Sequence, residues 1–286
     1  MKILITGATG FIGSHIAGAL GLKHKVIAPT RDPGNVPDSL RNKGNITFVK
    51  FEAERLEEMV QSVRPDVVVN LLGIIRENRS TGSTFRKVHY DYVIDLVEGA
   101  KKAGAKKFIQ MSALGSAIDS KSQYLSTKAR AEDYLRNSGF PHTIFRPSII
   151  LGEGQKMFDD FRDYASFSPF FPAPAHKLQP VHIHDVRDCF LKAVNENLTG
   201  QAFDLCGTRV INYRELFGFI LRHIKVKRPV FTAPDLFFTL SLPVMGILPN
   251  PPLTLDQYYM FQQDNVCQNS NDAEQLLGKL RDAFAF

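Results

Sequence analysis

Short apolar runs and longer amphipathic stretches alternate along the first half of the chain. Ile3–Thr6, Val26–Ala28, Ile46–Phe51, Val67–Leu72, Phe108–Met111 and Thr143–Phe145 read as strands. Between them Phe11–Leu20, Arg55–Val63, Phe85–Ala103 and Ser122–Asn137 carry helical spacing. Runs such as Val67–Val69 show no polar alternation, which marks strands buried on both faces. Strand and helix in alternation predict right-handed βαβ units, hence an α/β fold with a doubly wound parallel sheet.

Beyond residue 150 the rhythm changes. The aromatic-rich stretch Phe158–Phe171, with Pro169, Pro172, Pro174 and Pro180 in and after it, reads as loop and short helix. A strand (Val181–His184), a helix N-capped near Asp185 and running to Asn195, and a strand (Ala202–Leu205) follow, the last expected to rejoin the main sheet. From about Asn212 the chain reads as helical with proline punctuation.

The first candidate chemistry sits where the first strand meets the first helix, in Gly7-Ala8-Thr9-Gly10-Phe11-Ile12-Gly13. Gly7 permits a tight turn, Gly10 lets backbone N–H groups approach a pyrophosphate, and Gly13 allows the helix to pack closely on the strand. The helix N-terminus favours the anion. Thr9, Phe11 and Ile12 complete the loop. A dinucleotide site follows, and with it a division: 1–150 as the nucleotide-binding domain, rejoined by 185–206, and 151–184 with 207–286 as a smaller, mostly helical substrate lobe. The second strand leads into Arg31, with no acid until Asp32. A guanidinium there suits a 2′-phosphate, so NADP(H) is the expected cofactor, with NAD(H) as the alternative.

Tyr124-Leu125-Ser126-Thr127-Lys128 is the one Tyr-x-x-x-Lys in the chain. The spacing puts both side chains on one helix face. That helix follows the strand ending Gln110-Met111-Ser112, and ligands of open α/β sheets bind at the carboxyl ends of strands. Tyr124 is read as general acid/base, Lys128 as the cation that favours its phenolate and bonds the nicotinamide ribose, and Ser112 as a hydrogen-bond donor to a substrate carbonyl.

These motifs resemble the extended or atypical branch of the short-chain dehydrogenase/reductase superfamily. Val69–Ile74, Met111–Gly115, Tyr124–Glu132, Arg146-Pro147-Ser148, Gln179–Val186 and Leu248–Val266 narrow the resemblance. They are similar to the group of the Rossmann-type accessory subunit of mitochondrial complex I, whose bacterial relatives are described as NAD-dependent epimerase/dehydratase-like proteins. The resemblance implies NADPH binding with Leu71, Leu72, Gly73 and Pro147 beside the cofactor, and Glu52 in place of the Asp that commonly ends the third strand near the adenine. The resemblance does not settle catalysis; Ser112, Tyr124 and Lys128 together favour hydride transfer to or from a carbonyl or alcohol carbon, and the substrate is read as small or isoprenoid, quinone-like. An epimerase or dehydratase is the rival within the class. A catalytically silent NADPH-binding protein of respiratory or quinone-pathway assembly is the rival outside it. His89 stands where the superfamily often has Asn. Tyr92 stands where glycine is common, and its ring is expected to narrow the nicotinamide end.

Composition changes this picture in a few places. With 286 residues, 44% hydrophobic and 22% charged, the chain suits a globular fold with a sizeable core and excludes wholesale disorder. Three dispersed cysteines without a CxxC pair argue against a disulfide framework or zinc finger and for a reducing, cytoplasmic location. No leader pattern and no uncharged apolar run of ~18 residues is evident. His182 and His184 read as structural rather than metal ligands, and Lys101, Lys102, Lys106 and Lys107 as a solvated helix end rather than a nucleic-acid patch. The net charge of +6 has one focus of interest, Arg222, Lys225, Lys227 and Arg228, followed by the apolar stretch Val230–Leu248 with Pro243 breaking it. That stretch is either a core helix or an anionic-membrane surface in which Phe237 and Phe238 meet lipid, placing the chain on the inner face of a membrane.

Overall fold

The computed structural model describes residues 1–41, 43–245, 251, 253–268 and 271–286, with the side chains of Val244 and Met245 excepted. Seven strands form the central sheet: β1 (Lys2–Thr6), β2 (Lys25–Thr30), β3 (Ile46–Lys50), β4 (Val67–Asn70), β5 (Lys107–Met111), β6 (His142–Pro147) and β7 (Gln201–Leu205). Their order is β3-β2-β1-β4-β5-β6-β7, and every pairing is parallel. The order reverses between β1 and β4, which opens the crevice in which such sheets bind ligands.

Helices cover both faces. Ile3 and Ile5 of β1 pack on one side with Ile16 and Ala17 of α1 (Phe11–Leu20) and with the helix Ile183–Asn195. Leu4, pointing the other way, packs with α2 (Leu56–Val63), α3 (Tyr92–Lys102) and α4 (Gln123–Asn137). The β1 and β4 side chains are therefore buried on both faces, as the unbroken Val67–Val69 run predicts. Helix α4 is tied to the sheet by charge. Its buried Glu132 accepts from Arg146 of β6 and from Arg136.

The smaller lobe rests on a phenylalanine-rich core of its own. Phe158 of α5 (Met157–Phe167) packs with Phe171, Leu216 and Ile220. The stretch expected as loop and short helix thus contains three turns of helix, because Phe158, Phe161 and Ala165 recur on one face. Three short strand pairs stitch the lobe together: Ile150–Leu151 with Val181–His182, Lys177–Leu178 with Ile211–Asn212, and Phe171–Ala173 with Val230–Thr232.

Four expectations need correction. The strand Val181–His184 stops at His182, and helix α6 (Ile183–Asn195) begins there. The cap is the His182 ring, whose Nδ1 accepts from the His184 amide at 3.0 Å. Asp185 lies inside the first turn, fully buried and paired with Arg281. Cys206 and Cys267 form a disulfide across 61 residues, because the end of β7 and the segment after Phe261 meet in space, which sequence separation does not reveal. Pro243 lies inside helix α8 (Asp235–Met245), following α7 (Tyr213–His223), rather than breaking the helix. It falls near the end, where the missing N–H costs one bond. Residues 246–248 of the apolar stretch lie outside the described residues.

The lysines near residue 104 are engaged: Lys101 with Glu98, Lys102 with Glu57, Lys106 with Asp66, and Lys107 on the terminal carbonyls of α6.

Candidate nucleotide and catalytic site

The crevice between β1 and β4 is bounded first by backbone. Gly7 has φ +73°, and a Cβ there would lie 2.9 Å from the Leu71 carbonyl oxygen. A Cβ on Gly13 would lie 2.0 Å from the Gly7 oxygen, so only glycine lets α1 start against the loop. Gly10 is the helix cap and offers no side-chain cap to the first-turn N–H groups. An open helix N-terminus at the mouth of the sheet has the donor set that a pyrophosphate needs, so the residues present fit a dinucleotide. Leu71, Leu72 and Gly73 leave β4 beside this loop, with the Leu71 amide donating to Thr6 O and the Leu72 amide to Asn70 Oδ1.

Arg31 and Glu52 lie past the ends of the neighbouring strands β2 and β3. Arg31 is exposed and pairs with no carboxylate among the described residues. Glu52 is held by Arg55 at 3.5 Å. Tyr92 packs edge-on against Phe51 at the same strand end, with ring centroids 5.8 Å apart. The Tyr92 ring is thus turned toward Phe51, just past the end of β3.

Side chains build the other wall. Lys128, 3% exposed, donates to the Met111 carbonyl at 3.0 Å and so reaches the end of β5. A Cβ on Gly73 would lie 3.5 Å from Lys128 Nζ and 3.8 Å from His89 Nε2, so the bare glycine keeps both groups at an open wall. His89 sits on a π-helical turn, Lys87–Asp91, ahead of α3. Its Nε2 accepts from the Ile74 amide, which leaves the proton on Nδ1 to donate to Thr127 Oγ1. Burial, reinforced by the Lys128 charge, holds its pKa well below the usual histidine value, so the ring is neutral. The Tyr124 ring stands edge-on to His89 at 5.1 Å and to Phe85 at 6.0 Å, with Lys128 Nζ 6.0 Å from its centroid.

Electrostatics here departs from the sequence expectation. Burial, with a smaller push from Asp256, raises the Tyr124 phenol to about 12. Burial lowers the Lys128 ammonium to about 8, with Glu132 opposing. Burial and the Asp256 charge both disfavour the anion, so at neutral pH Tyr124 is a neutral phenol rather than a phenolate. Ser112 is buried next to Met111, and its Oγ lies 3.3 Å from Ser116 Oγ. No hydrogen bond joins Ser112 to Tyr124 among the described residues. Pro147 is buried at the end of β6, its carbonyl accepting from the Leu114 amide.

Sequence reasoning did not find the strap that closes this wall. Asp256, on α9 (Leu255–Phe261), accepts from Ser122 Oγ at 2.9 Å, from the Gln123 amide, and from the Tyr124 amide at 3.3 Å. It thereby caps α4 from 132 residues away. Gln263 lies over Gly115, where a Cβ would sit 2.9 Å from its amide nitrogen. Asn265 bonds Ser148 and the Leu114 carbonyl. One local signal was present: Thr254 and Gln257 form a capping box that fixes the start of α9.

The NAD(P)H-binding family model matches residues 7–159. A mitochondrial NADH dehydrogenase [ubiquinone] 1 alpha subcomplex subunit 9 of Arabidopsis thaliana is 27% identical over 289 residues, covering 93% of this chain and 71% of the relative. The NADH-ubiquinone oxidoreductase 40 kDa subunit of Neurospora crassa is 27% identical over 255 residues, covering 85% of this chain, which spans only 65% of that relative. Among solved structures, a nucleoside-diphosphate-sugar epimerase of Staphylococcus aureus superposes with a TM-score of 0.73 at 19% identity, covering 99% of this chain and 98% of the other. That likeness concerns the fold.

Proposed function

The chain belongs to the NAD(P)H-binding family, and from that premise we propose that it is an NADP(H)-dependent oxidoreductase acting on a small or isoprenoid, quinone-like carbonyl or alcohol. The observation that carries this reading is the meeting of Gly73, His89, Tyr124 and Lys128 beside the open N-terminus of α1. The amides of Gly10 to Gly13 would hold the pyrophosphate, Arg31 the 2′-phosphate, and Lys128 the ribose next to the nicotinamide. The bound nicotinamide supplies or accepts a hydride. Tyr124, kept neutral by burial, gives its phenolic proton to the oxygen of a carbonyl being reduced, and Lys128 stabilises the phenolate left behind. Neutral His89 holds the Ile74 amide and Thr127 in place and adds no competing charge. Ser112 orients the carbonyl once it exchanges Ser116 for substrate.

A second reading keeps the nucleotide and drops the chemistry. Its support is the similarity to NADH dehydrogenase subunits together with a Ser112 hydroxyl turned to Ser116 and a phenol far from ionising. The partner would then be a respiratory-chain assembly, with the chain peripheral on the inner face of the membrane. A transient-oxidation epimerase or dehydratase is the third arm of the same assay.

Titration of NADPH and NADH against the wild type and Arg31→Ala tests the nucleotide. A charge-assisted contact of ~1.5–3 kcal/mol gives NADPH a tenfold to hundredfold advantage, lost in the variant. Equal wild-type affinities refute it. Turnover over a carbonyl panel including short-chain quinones tests the chemistry, and Tyr124→Phe is expected to lower kcat by roughly 10²–10⁴ with NADPH affinity retained. Full activity in that variant removes Tyr124 from its role. Tight NADPH binding without turnover of any substrate favours the silent reading.

A further inference from the structure

The smaller lobe carries a cationic cleft that the nucleotide site does not use. Between α7 and the strand Val230–Thr232 lies an open cleft of about 530 Å³, with Arg209, Arg214 and Arg222 set around Phe219 and Phe284. A second cleft of about 470 Å³ adjoins it across Gly218, Arg222 and Val230 and adds Lys227. The Arg209 guanidinium stacks on Phe284 at 5.5 Å, which holds it at the rim. Glu215, the carboxylate in this lining, is engaged by the Asn212 amide in a capping box. No ion pair engages Arg209, Arg214, Arg222 or Lys227 among the described residues. Arg228 is different: it donates to the Ser168 and Ala165 carbonyls and fastens the end of α5 to the base of Val230–Thr232.

An exposed apolar face continues from that fastening. Phe170 and Phe231, paired at 5.7 Å, are both exposed, and Phe231 meets Phe237 at 6.4 Å. Phe167 stands out beside them. On α8, Leu236 and Leu240 are 65% and 69% exposed, one turn apart on the outer face, while Phe238 is 4% exposed and packs on Tyr258. The sequence reading that sent both Phe237 and Phe238 toward lipid is thereby divided: Phe238 is core, and the outward residues are the two leucines.

We propose that this composite face docks on a bilayer containing anionic phospholipids. The arginine cleft receives headgroup phosphates, and Phe167, Phe170, Phe231, Leu236 and Leu240 enter the boundary between headgroups and acyl chains. Unpaired cations near exposed phenylalanine and leucine side chains match the charge and solvent gradient of such a boundary, with Thr232, Asp235 and Thr239 as exposed polar side chains on the same strand and helix. A protein partner would have to bury the same cations against carboxylates and cover the leucines at once. The inference stands independently of the nucleotide reading, and no helix among the described residues is long and apolar enough to cross a membrane.

The test is co-sedimentation of the full chain with vesicles of phosphatidylcholine alone and of phosphatidylcholine and phosphatidylglycerol in equal parts, at low and high salt. The protein is expected to pellet with the anionic vesicles at low salt and little with the neutral ones. Arg222→Gln with Lys227→Gln is expected to lower partitioning roughly 30-fold, from about 1 kcal/mol per charge. Leu236→Ser with Leu240→Ser is expected to lower it at least tenfold. Both doubles should keep the wild-type melting temperature and NADPH affinity, since all four side chains are exposed, whereas Phe238→Ser should melt lower. Equal pelleting with both vesicle types, or indifference to both double variants, overturns the proposal, as does no pelleting at all, which points to an acidic protein partner. Inorganic phosphate is expected to inhibit pelleting more than chloride does at matched ionic strength, because it competes with headgroups for the arginine cleft; phosphate no more effective than chloride also overturns the proposal, by removing the cleft from the contact.

Discussion

The two walls of the crevice are built by opposite means. The β1–α1 wall is backbone: three glycines in seven consecutive residues set a turn, an approach and a helix start, and no charged side chain takes part. The β5–α4 wall is side chains, brought from the loop after β4, the π-helical turn at His89, helix α4 and a strap more than a hundred residues downstream. The first wall is intolerant of a single added carbon and indifferent to pH. The second has room for changed side chains but is poised by buried charge. A segment that does its work with backbone can be local, whereas a segment that tunes proton affinity needs neighbours from several elements to exclude water and place charges.

The sharpest way to break this contrast is Gly13→Ala. The added carbon would lie 2.0 Å from Gly7 O, 2.7 Å from Ala8 Cα and 2.8 Å from Gly7 C, all backbone, with no flexible side chain to yield. Overpacking against mobile side chains costs ~1–3 kcal/mol, and here the loss should exceed that range. Thermal melting and NADPH titration check it. A variant that keeps both wild-type values would show that the loop is not held as described.

The same contrast explains what was legible in the sequence. The glycine loop, the strands β1 and β4 and the Tyr124–Lys128 face were readable because each is encoded by residues within a few positions of one another. The charge state of Tyr124 was not readable, since it depends on how completely Phe85 and His89 exclude water and on Asp256, which enters from the strap. The His182 cap was missed because Asp185 is the commoner cap type, yet Arg281 claims it from the far end of the chain. The Cys206–Cys267 pairing and the division of α8 into a core face and an open face are likewise tertiary facts.

A smaller effect of opposite sign is expected from Lys128→Met. In the folded chain burial lowers the Lys128 ammonium from 10.5 to about 8. Between about 8 and 10.5 the unfolded chain therefore holds a proton that the folded chain has released, so stability rises with pH across that window. Below it the buried charge costs about 3 kcal/mol. Methionine removes this cost and also the ~1 kcal/mol bond to Met111 O, for a net gain of about 2 kcal/mol near neutral pH. Urea unfolding at a series of pH values reads both the gain and its disappearance by about pH 10.5. A variant less stable than wild type at neutral pH would mean that the second wall is not strained by its charge.

The smallest effect concerns the strap, and Asp256 isolates it. Its carboxylate accepts from the Ser122 hydroxyl and two amides at the start of α4, while Ser122 in turn accepts from the Leu125 amide. An anion at a helix N-terminus with these contacts contributes about 1 kcal/mol, so Asp256→Ala should lower stability by that amount. The same charge helps to raise the Tyr124 phenol, so its removal should move that phenol down from about 12. Asp256→Asn separates the two roles: it keeps an acceptor oxygen and most of the stability yet loses the charge, and the phenol should still move down. Phenolate absorbance titrated with pH, with Tyr124→Phe as the reference, reads this without any substrate, and NADPH affinity should not change because the β1–α1 wall makes no use of Asp256. A fall in NADPH affinity equal to the loss in the phenol titration would mean that the two walls form one coupled unit, and an unmoved phenol in both variants would remove the strap from the electrostatics of the site.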